Sequence, residues 1–580
     1  MTTQSMTSLL SHLSYLYGDE AAVSLLGRVE SLLEAHRAHI PAQEAALSER
    51  DSLLITYGDQ IQAPNEKPLQ TLHVFCNQHI RDIVSGVHIL PFYPWTSDDG
   101  FSVSDYRQVD PALGEWQDVS AMQAHFRLMF DAVINHISSQ SAWFQAFLND
   151  DPPYRDYFIV AQESPLLVQV VRPRALPLLT IFHTPSGEKR LWTTFSADQI
   201  DLNYKNPEVL LDILDILLLY AEQGASFLRL DAIAYLWKEL GTPCIHLPQT
   251  HHVIQFLRAA LDEVAPHVQL ITETNVPHAE NLSYFGDGTN EAQLVYNFAL
   301  PPLTLHTFHT GDARTLSDWA RTLTLPSDKT TFFNFLASHD GIGLNPARGI
   351  LSQADIDSLV ETTLAHGGLV SYKHNADGTQ SPYEMNINYF DALSSPSMLQ
   401  DVYPQQADHE TVNVQVDRFI AAQAIMLSLI GVPGIYFHSL FGSRGWMEGV
   451  KITGHNRTIN REKLRLDRLE SDLADENSLR HKVFTKYSKL LITRLNAPAF
   501  HPHGTQTVLE LHPSVFALER TSPDGNSHAL CLHNVSKEQI SFSTNHNSAT
   551  DLFTGQEVQI SNITLEPYQV MWLTPNPLVE

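Results

Sequence analysis

Residues 224–232 read GASFLRLDA, an apolar run that ends in Arg229 and Asp231. Seven more short apolar runs are separated from it, and from each other, by stretches with helical periodicity. They are LLITY (53–57), GVHILPF (86–92), LMFDAVINH (128–136), QLITET (269–274), LVYNF (294–298), FFNFLASHD (332–340) and GVPGIYF (431–437). Eight candidate strands that alternate with helices predict parallel strands closed into a (β/α)8 TIM barrel, an α/β fold.

Four segments outside this pattern predict additions to the barrel. Apolar residues at helical spacing indicate an N-terminal helical extension, and a Pro-rich and aromatic stretch after the third strand indicates an inserted subdomain B. A polar stretch after the seventh strand indicates a loop-rich insertion, and period-two alternation near the end indicates a C-terminal antiparallel β domain. The predicted boundaries are 1–50 for the extension, 51–136, 206–344 and 411–498 for the barrel, 137–205 for subdomain B, 345–410 for the loop-rich insertion and 499–580 for the β domain.

The chain is acidic, with 36 Lys and Arg against 65 Asp and Glu and a formal charge of −29. Such a surface repels nucleic acid, so an anionic ligand needs a locally basic pocket. We expect small-molecule substrates and neither a nucleic-acid nor a membrane partner, since no segment has the roughly 18 uninterrupted apolar residues of a spanning helix. The oligomeric state is left open, with a homodimer as the assembly considered.

Cysteine and histidine spacing bears on location and metal binding. Cys76, Cys244 and Cys531 lie far apart in a pattern typical of neither a disulfide framework nor a zinc site. The start of the chain lacks the positively charged region of a signal peptide, so we expect a cytoplasmic protein. Histidine pairs such as His251 and His252 lack the spacing of metal ligands, so we predict no metal site.

Charged side chains follow four of the predicted strands. They are Asp131 with Asn135 and His136, Arg229 with Asp231, Glu273, and His339 with Asp340. Because the carboxyl ends of barrel strands meet at one face, these groups should converge there. One such carboxylate is more often a helix cap or part of a buried salt bridge, but several at one face favour an active site.

Asp231 and Glu273 supply the two carboxyl groups that glycosidic bond exchange requires. Arg229 lies on the same strand face as Asp231 and should keep it ionised, as a nucleophile must be. Glu273 needs a raised pKa to donate a proton, which burial and a second anion would provide. Asp340 is a third carboxylate that can bind sugar hydroxyls.

Five short segments resemble the conserved regions of the α-amylase superfamily, glycoside hydrolase family 13. They are DAVINH (131–136), QIDLN (199–203), GASFLRLDA (224–232), ITET (271–274) and ASHD (337–340), in the family's order. The resemblance implies a retaining mechanism with Asp231 as nucleophile, Glu273 as acid/base and Asp340 as transition-state stabiliser. It also implies glucose contacts from His136, Arg229 and His339.

A narrower resemblance, to the sucrose-phosphorylase subfamily, is carried by HDGIG (339–343), RPRALP (172–177), SPYEMNINYFDAL (381–393) and NRTINR (456–461). It implies that phosphate resolves a glucosyl-enzyme, so inorganic phosphate is a co-substrate and no cofactor is needed. The substrate contacts that it implies are completed by Asp98, Phe101, Phe195, Gln199 and Arg457. Phosphate and acceptor contacts are expected from Arg174, Tyr235, Asn275, Tyr383 and Glu384.

The identity of the acceptor is inferred from segments that differ from those of sucrose phosphorylases, such as PFYPWTSDDGFS (91–102) and ETNVPH (273–278). These are similar to the glucosylglycerate phosphorylases, which implies phosphorolysis of 2-O-α-glucosylglycerate to α-glucose 1-phosphate and glycerate. The cation for the glycerate carboxylate stays open among Arg174, Arg348, Lys373 and His374. The alternatives are a sucrose, sucrose 6-phosphate or glucosylglycerol phosphorylase, a hydrolase or transglucosidase that uses no phosphate, and a non-catalytic binding barrel.

Overall fold

Eight parallel strands close into the predicted barrel in the computed structural model, which describes residues 3–173, 176–374, 379–394 and 411–576. Every predicted apolar run forms one strand, because a strand covered on both faces is apolar throughout. The last strand pairs in parallel with the first, with Leu53 opposite Gly434. The barrel strands are β1 Leu53–Thr56, β2 Gly86–Ile89, β3 Arg127–Ala132, β4 Ala225–Leu230, β5 Gln269–Thr272, β6 Leu294–Tyr296, β7 Thr331–Asn334 and β8 Val432–Tyr436.

Amphipathic helices cover the outside of the barrel. The helix between β3 and β4 shows why they form, since Asn206 caps its first turn by accepting the Glu208 N–H and a proline opens it. The longer helices are Pro68–His79, Pro207–Glu222, Pro248–Val264, Leu300–Thr310, Val412–Ser428 and Leu479–Leu495. Shorter ones are Trp116–Ala121, His278–Leu282, Arg314–Ala320, Phe437–Leu440, Met447–Thr453 and Leu466–Ala474.

The N-terminal extension consists of two helices, Thr3–Tyr17 and Asp19–Arg37. They pack on the barrel helices that precede β4 and β5. The His12 and His252 rings meet through their Nδ1 atoms at 3.0 Å across this contact. No helix within the described ranges is long and apolar enough to cross a bilayer.

Subdomain B follows β3, as predicted. Its strand His136–Ser138 pairs with Gln199–Asp201, and Leu179–Thr184 pairs with Gly187–Trp192. A helix, Ala142–Leu148, packs beside them. The first of these pairs continues directly from the barrel, so it holds His136 and Gln199 at the barrel mouth.

The insertion after β7 contains more regular structure than the polar composition suggested. The strand Leu369–His374 pairs with Gln380–Asn386, which also pairs with the short strand Ile342–Gly343. Two helices, Gln353–Ala365 and Tyr389–Leu393, flank this sheet. The sequence pattern does not reveal such a strand pair, because its side chains are largely polar. Backbone pairing, and not the burial of a whole face, holds the two strands together.

The C-terminal strands form two antiparallel sheets, as expected from their period-two alternation. The larger sheet contains Thr505–His512, Val515–Thr521, His528–Asn534, Ser548–Asp551, Glu557–Gln559 and Val570–Pro575. The smaller contains Ile540–Ser543 and Asn562–Leu565.

A buried arginine joins the barrel floor to these C-terminal elements. Arg494 lies where β1 and β8 begin, and burial lowers its pKa to about 9. Its guanidinium donates to the carbonyls of Glu49, Asp51, Leu427, Gly431 and Phe500. Since these carbonyls flank the two strands that close the barrel, Arg494 stabilises the closure.

Replacing Arg494 with Met should therefore lower the free energy of unfolding by at least about 3 kcal/mol, because several buried carbonyls lose their donor. The measurement is thermal unfolding beside Arg468→Met, which removes an exposed arginine and should leave the melting temperature almost unchanged. Equal shifts in the two variants would show that Arg494 does not stabilise the closure.

Candidate active site

The carboxyl ends of β3, β4, β5 and β7 surround one pocket of about 730 Å³. This volume includes the open mouth of the pocket. The predicted site residues on its wall are Asp98, Phe101, His136, Phe195, Gln199, Asp231, Tyr235, Glu273, Asn275, His339, Asp340, Tyr383 and Arg457. Arg229 and Glu384 lie behind this wall, and Arg174 lies outside the described residues.

Arg229 positions Asp231 from below. Its Nη1 donates to Asp231 Oδ1 at 2.9 Å and also to Asp131, so one guanidinium bridges the ends of β3 and β4. His88, on β2, holds the other oxygen of Asp131 at 2.6 Å. His88 was not predicted, although a polar residue in the middle of an apolar strand was a signal for it.

The turn after Asp231 orients Glu273. Ala232 has φ 51° and ψ 29°, a left-handed conformation that costs a non-glycine residue roughly 1–2 kcal/mol. This conformation points the Ala232 N–H at Glu273 Oε2, 3.1 Å away. Backbone strain is therefore found between the two candidate catalytic carboxyl groups.

Burial raises the pKa of both Asp231 and Glu273 above the usual carboxyl range, while Arg229 opposes the rise in each. Glu273 adds to the rise for Asp231, and Asp340 adds to it for Glu273. Such a coupled pair favours a state with a single shared proton. Within the described part of the chain, Asp231 has a guanidinium partner and Glu273 only a backbone N–H, so the proton belongs on Glu273.

Asp340 is held ionised by arginines. Burial acts to raise its pKa, but Arg457, His339 and Arg461 outweigh burial and lower it. Arg457 Nη1 lies 2.6 Å from Asp340 Oδ1. The same guanidinium donates two bonds to Glu384, at 3.0 and 2.6 Å. Glu384 thus positions Arg457 from behind and does not itself line the pocket.

Neutral imidazoles and an aromatic ring form the side of the pocket toward the N-terminal half of the barrel. The Phe101 ring stacks on His339, with centroids 4.8 Å apart and planes 2° apart. His136 Nε2 and Gln199 Nε2 both approach the Phe101 carbonyl, at 2.9 and 3.0 Å. Burial lowers the pKa of His136 to about 4 and that of His339 to about 3. Both rings are therefore neutral at physiological pH and add no charge beside the carboxylates.

Another part of the wall contains three residues predicted to contact phosphate and acceptor, Tyr235, Asn275 and Tyr383. Phe195 packs edge-on against Tyr235, with centroids 5.5 Å apart. Asn275 and Tyr383 complete this wall together with Pro173, which adjoins the undescribed Arg174. Ala232, Ala234, Thr274 and Val276 also line the pocket and were not predicted, since small and apolar side chains carry no chemical signal.

A lysine binds the oxygen atoms of Asn135 and Asp201 below the pocket. Lys238 Nζ lies 2.6 Å from Asp201 Oδ2 and 2.8 Å from Asn135 Oδ1. Its side chain is only 3% exposed. The described ranges hold no cluster of three His, Cys, Asp or Glu that could bind a metal. The Lys238 ammonium group thus already balances the charge of the Asp201 carboxylate and bonds the Asn135 amide oxygen.

Comparison with known proteins agrees with this geometry. A model of the α-amylase catalytic domain matches residues 78–344. A glucosylglycerate phosphorylase from Allomeiothermus silvanus is 50% identical, over 99% of this chain and 99% of its own. The chain belongs to the α-amylase family.

Two more distant relatives extend this comparison. A sucrose phosphorylase from Agrobacterium vitis is 31% identical over 77% of this chain and 88% of its own. The crystal structure of a sucrose 6F-phosphate phosphorylase from Thermoanaerobacter thermosaccharolyticum superposes with a TM-score of 0.73 at 23% identity, over 90% of this chain and 99% of that one. The superposition shows that the α-amylase family fold extends over almost the whole chain.

Lys238→Met should destabilise the protein by about 3–5 kcal/mol, because it leaves the buried Asp201 carboxylate without a cation. Lys205→Met is the matched control, since it removes an exposed pair with Glu239 and should cost less than about 1 kcal/mol. Chemical unfolding of both variants checks the difference. A loss for Lys238→Met no larger than the control would contradict a structural role for this ammonium group.

Proposed function

We propose that this protein is a retaining glucosylglycerate phosphorylase. It converts 2-O-α-glucosylglycerate and inorganic phosphate reversibly to α-glucose 1-phosphate and glycerate. The observation that carries the proposal is 50% identity over 99% of the chain with a relative of that name. The sucrose phosphorylase relative is less similar and covers less of the chain, so glycerate is the favoured acceptor.

The first half-reaction forms a covalent intermediate. An Asp231 oxygen attacks the anomeric carbon while Glu273 donates its proton to the glycosidic oxygen, and glycerate leaves with its hydroxyl restored. The bond to the glycosidic oxygen breaks as the ester bond to Asp231 forms. The contact from Arg229 supports an ionised Asp231, and the weaker contacts of Glu273 support its role as the acid.

The second half-reaction uses phosphate in place of water. A phosphate oxygen attacks the same carbon, the Asp231 ester bond breaks, and the anionic Glu273 accepts the proton that phosphate loses. Two inversions at one carbon retain the α configuration. Asp340, paired with Arg457, is the third carboxylate and stabilises positive charge on the sugar ring in both transition states.

In this proposal, different residues of the pocket wall bind the glucose unit and the phosphate or acceptor. His136, His339, Asp98, Gln199 and Phe101 hold the glucose unit, while Tyr235, Asn275, Tyr383 and the undescribed Arg174 serve phosphate and acceptor. The reaction needs no cofactor, because its chemistry requires only two carboxyl groups and a phosphate. Three free, buried cysteines support a cytoplasmic location, and a homodimer stays a prediction.

Asp231→Asn should abolish turnover and leave the fold intact, because a carboxamide cannot form the glucosyl ester. The loss should be at least about 10⁴-fold in kcat, measured as phosphate-dependent release of α-glucose 1-phosphate. Mass spectrometry of the wild-type enzyme trapped with a slow fluorinated glucoside should find the label on Asp231. A label on another residue would exclude this mechanism.

An acceptor panel tests the function as a whole. With α-glucose 1-phosphate as donor, glycerate should be glucosylated at least about tenfold faster than glycerol, fructose, fructose 6-phosphate or water, because a site built for a charged group rejects neutral analogues. Initial rates under identical conditions provide the measurement. If fructose or glycerol is preferred, the acceptor is wrong, and if water is used equally well, the enzyme is not a phosphorylase.

A further inference from the structure

The turn at residues 98–100, called the 98–100 turn below, has a strained backbone. Asp98, Asp99 and Gly100 have φ angles of 56°, 49° and 105°, so three successive residues have positive φ. Aspartate adopts this region more readily than most residues, but it is still strained there. Gly100 cannot be replaced, because a Cβ at this position would lie 2.7 Å from the Pro91 carbonyl oxygen. Contacts from outside must therefore hold the 98–100 turn in place.

The base of the 98–100 turn is closed by hydroxyl groups. The Ser97 and Ser102 hydroxyls both donate to the Asp198 carboxylate. The Ser102 N–H also donates to the Ser97 carbonyl at 3.2 Å. These bonds join the two ends of the turn, whereas Asp99 lies at its centre and has a partner elsewhere.

The centre of the 98–100 turn is held by a buried arginine. Arg461 Nη1 donates to Asp99 Oδ2, and the Arg461 side chain is 4% exposed. Its Nε donates to the His339 carbonyl at 2.8 Å. Its Nη2 lies 3.6 Å from Asp340 Oδ1, which is beyond hydrogen-bonding distance. One guanidinium thus joins the turn after β2 to the segments that follow β7 and β8.

The contacts of Arg461 bear on one side of the pocket. The described residues that line the pocket do not include Asp99 or Arg461, but they include Asp98, Phe101 and His339. The Phe101 and His339 rings stack on each other. Arg461 fixes His339 directly, through its carbonyl, and Phe101 indirectly, through the 98–100 turn. If this turn were displaced, Asp98 and Phe101 would move together.

We propose that Asp99 and Arg461 form a positioning pair for the glucose-binding side of the pocket. The pair holds the 98–100 turn so that Asp98 and Phe101 face the glucosyl unit, and neither member touches the sugar. Without the pair, the turn must be ordered again whenever the donor binds, which weakens donor affinity. This inference rests on the proposed function because it requires an α-glucosyl donor, but it is independent of the acceptor.

Two substitutions at residue 99 separate the ion pair from the backbone strain. Asparagine keeps the size of aspartate and tolerates a left-handed conformation, but it removes the charge. Glycine removes both the strain and the contact with Arg461. If Arg461 holds the turn, Asp99→Asn and Asp99→Gly both weaken donor binding. If the turn depends on its own backbone preference, Asp99→Gly binds the donor as well as wild type or better.

The assay measures fluoride release from α-glucosyl fluoride with phosphate in excess, since this donor requires no glycerate. In both Asp99 variants the KM for the donor should rise at least about fivefold. Because only uniform binding of the sugar is lost, kcat and the KM for phosphate should change less than about threefold. Arg461→Met should raise the donor KM at least as much, and the double variant Asp99→Asn/Arg461→Met should be no worse than Arg461→Met alone.

Asp150→Asn is the matched control. Asp150 also has a positive φ, 59°, and it pairs with Lys189 at 2.8 Å in subdomain B. This variant therefore makes the same chemical change at a strained, cation-paired aspartate that has no role in the proposed mechanism. Its donor KM should stay within about twofold of wild type.

The outcomes separate this inference from the proposed function. Wild-type enzyme that releases no fluoride overturns both. Wild-type enzyme that forms glucose in place of α-glucose 1-phosphate overturns the phosphorylase function, while the donor KM values still decide the role of the pair.

An unchanged donor KM in the Asp99 variants overturns the positioning pair alone. An equal rise in Asp150→Asn, or additive effects in the double variant, overturns it too. Since the Asp99 side chain is 42% exposed, its two variants decide the question even where Arg461→Met does not fold.

Discussion

The contact of Arg229 with Asp131 and Asp231 is the interaction on which the rest of the site depends. The guanidinium side chain is 3% exposed, and both of its acidic partners are buried. Breaking such a pair leaves an unpaired buried charge, which is far more costly than losing a surface pair. Because Arg229 lies on β4 and Asp131 on β3, one guanidinium both links these two strands and positions Asp231.

Pairing with buried arginines also explains how so many acidic groups fit around one pocket. Arg229 forms ion pairs with Asp131 and Asp231. Arg457 forms ion pairs with Asp340 and Glu384. Glu273 also lines the pocket, and no bond from Arg229 or Arg457 to it is found within the described residues. The charge balance therefore leaves a proton on Glu273, and the left-handed turn at Ala232 directs a backbone N–H to it. That N–H lowers the pKa of Glu273, but burial and Asp340 outweigh it and leave the pKa raised.

The barrel could be predicted from the sequence because each of its strands is an apolar run, and four of these runs end in charged side chains. The side chains that support the site could not be predicted in the same way. Lys238 with Asp201, and Glu384 with Arg457, are pairs of residues far apart in the chain, and no local pattern joins them. The strand pair at 369–386 was missed for a related reason, since it is rich in polar residues and its pairing joins segments that no local pattern connects.

The proton on Glu273 restricts where basic residues can lie around the pocket. Glycerate and phosphate, the substrates proposed above, are both anions, and they would enter a pocket that already contains several carboxylates. A cation beside Glu273 would attract them, but it would also lower the pKa of Glu273 and remove the acid on which departure of the acceptor depends. Cations that bind these anions must therefore be far enough from Glu273 to leave its proton in place.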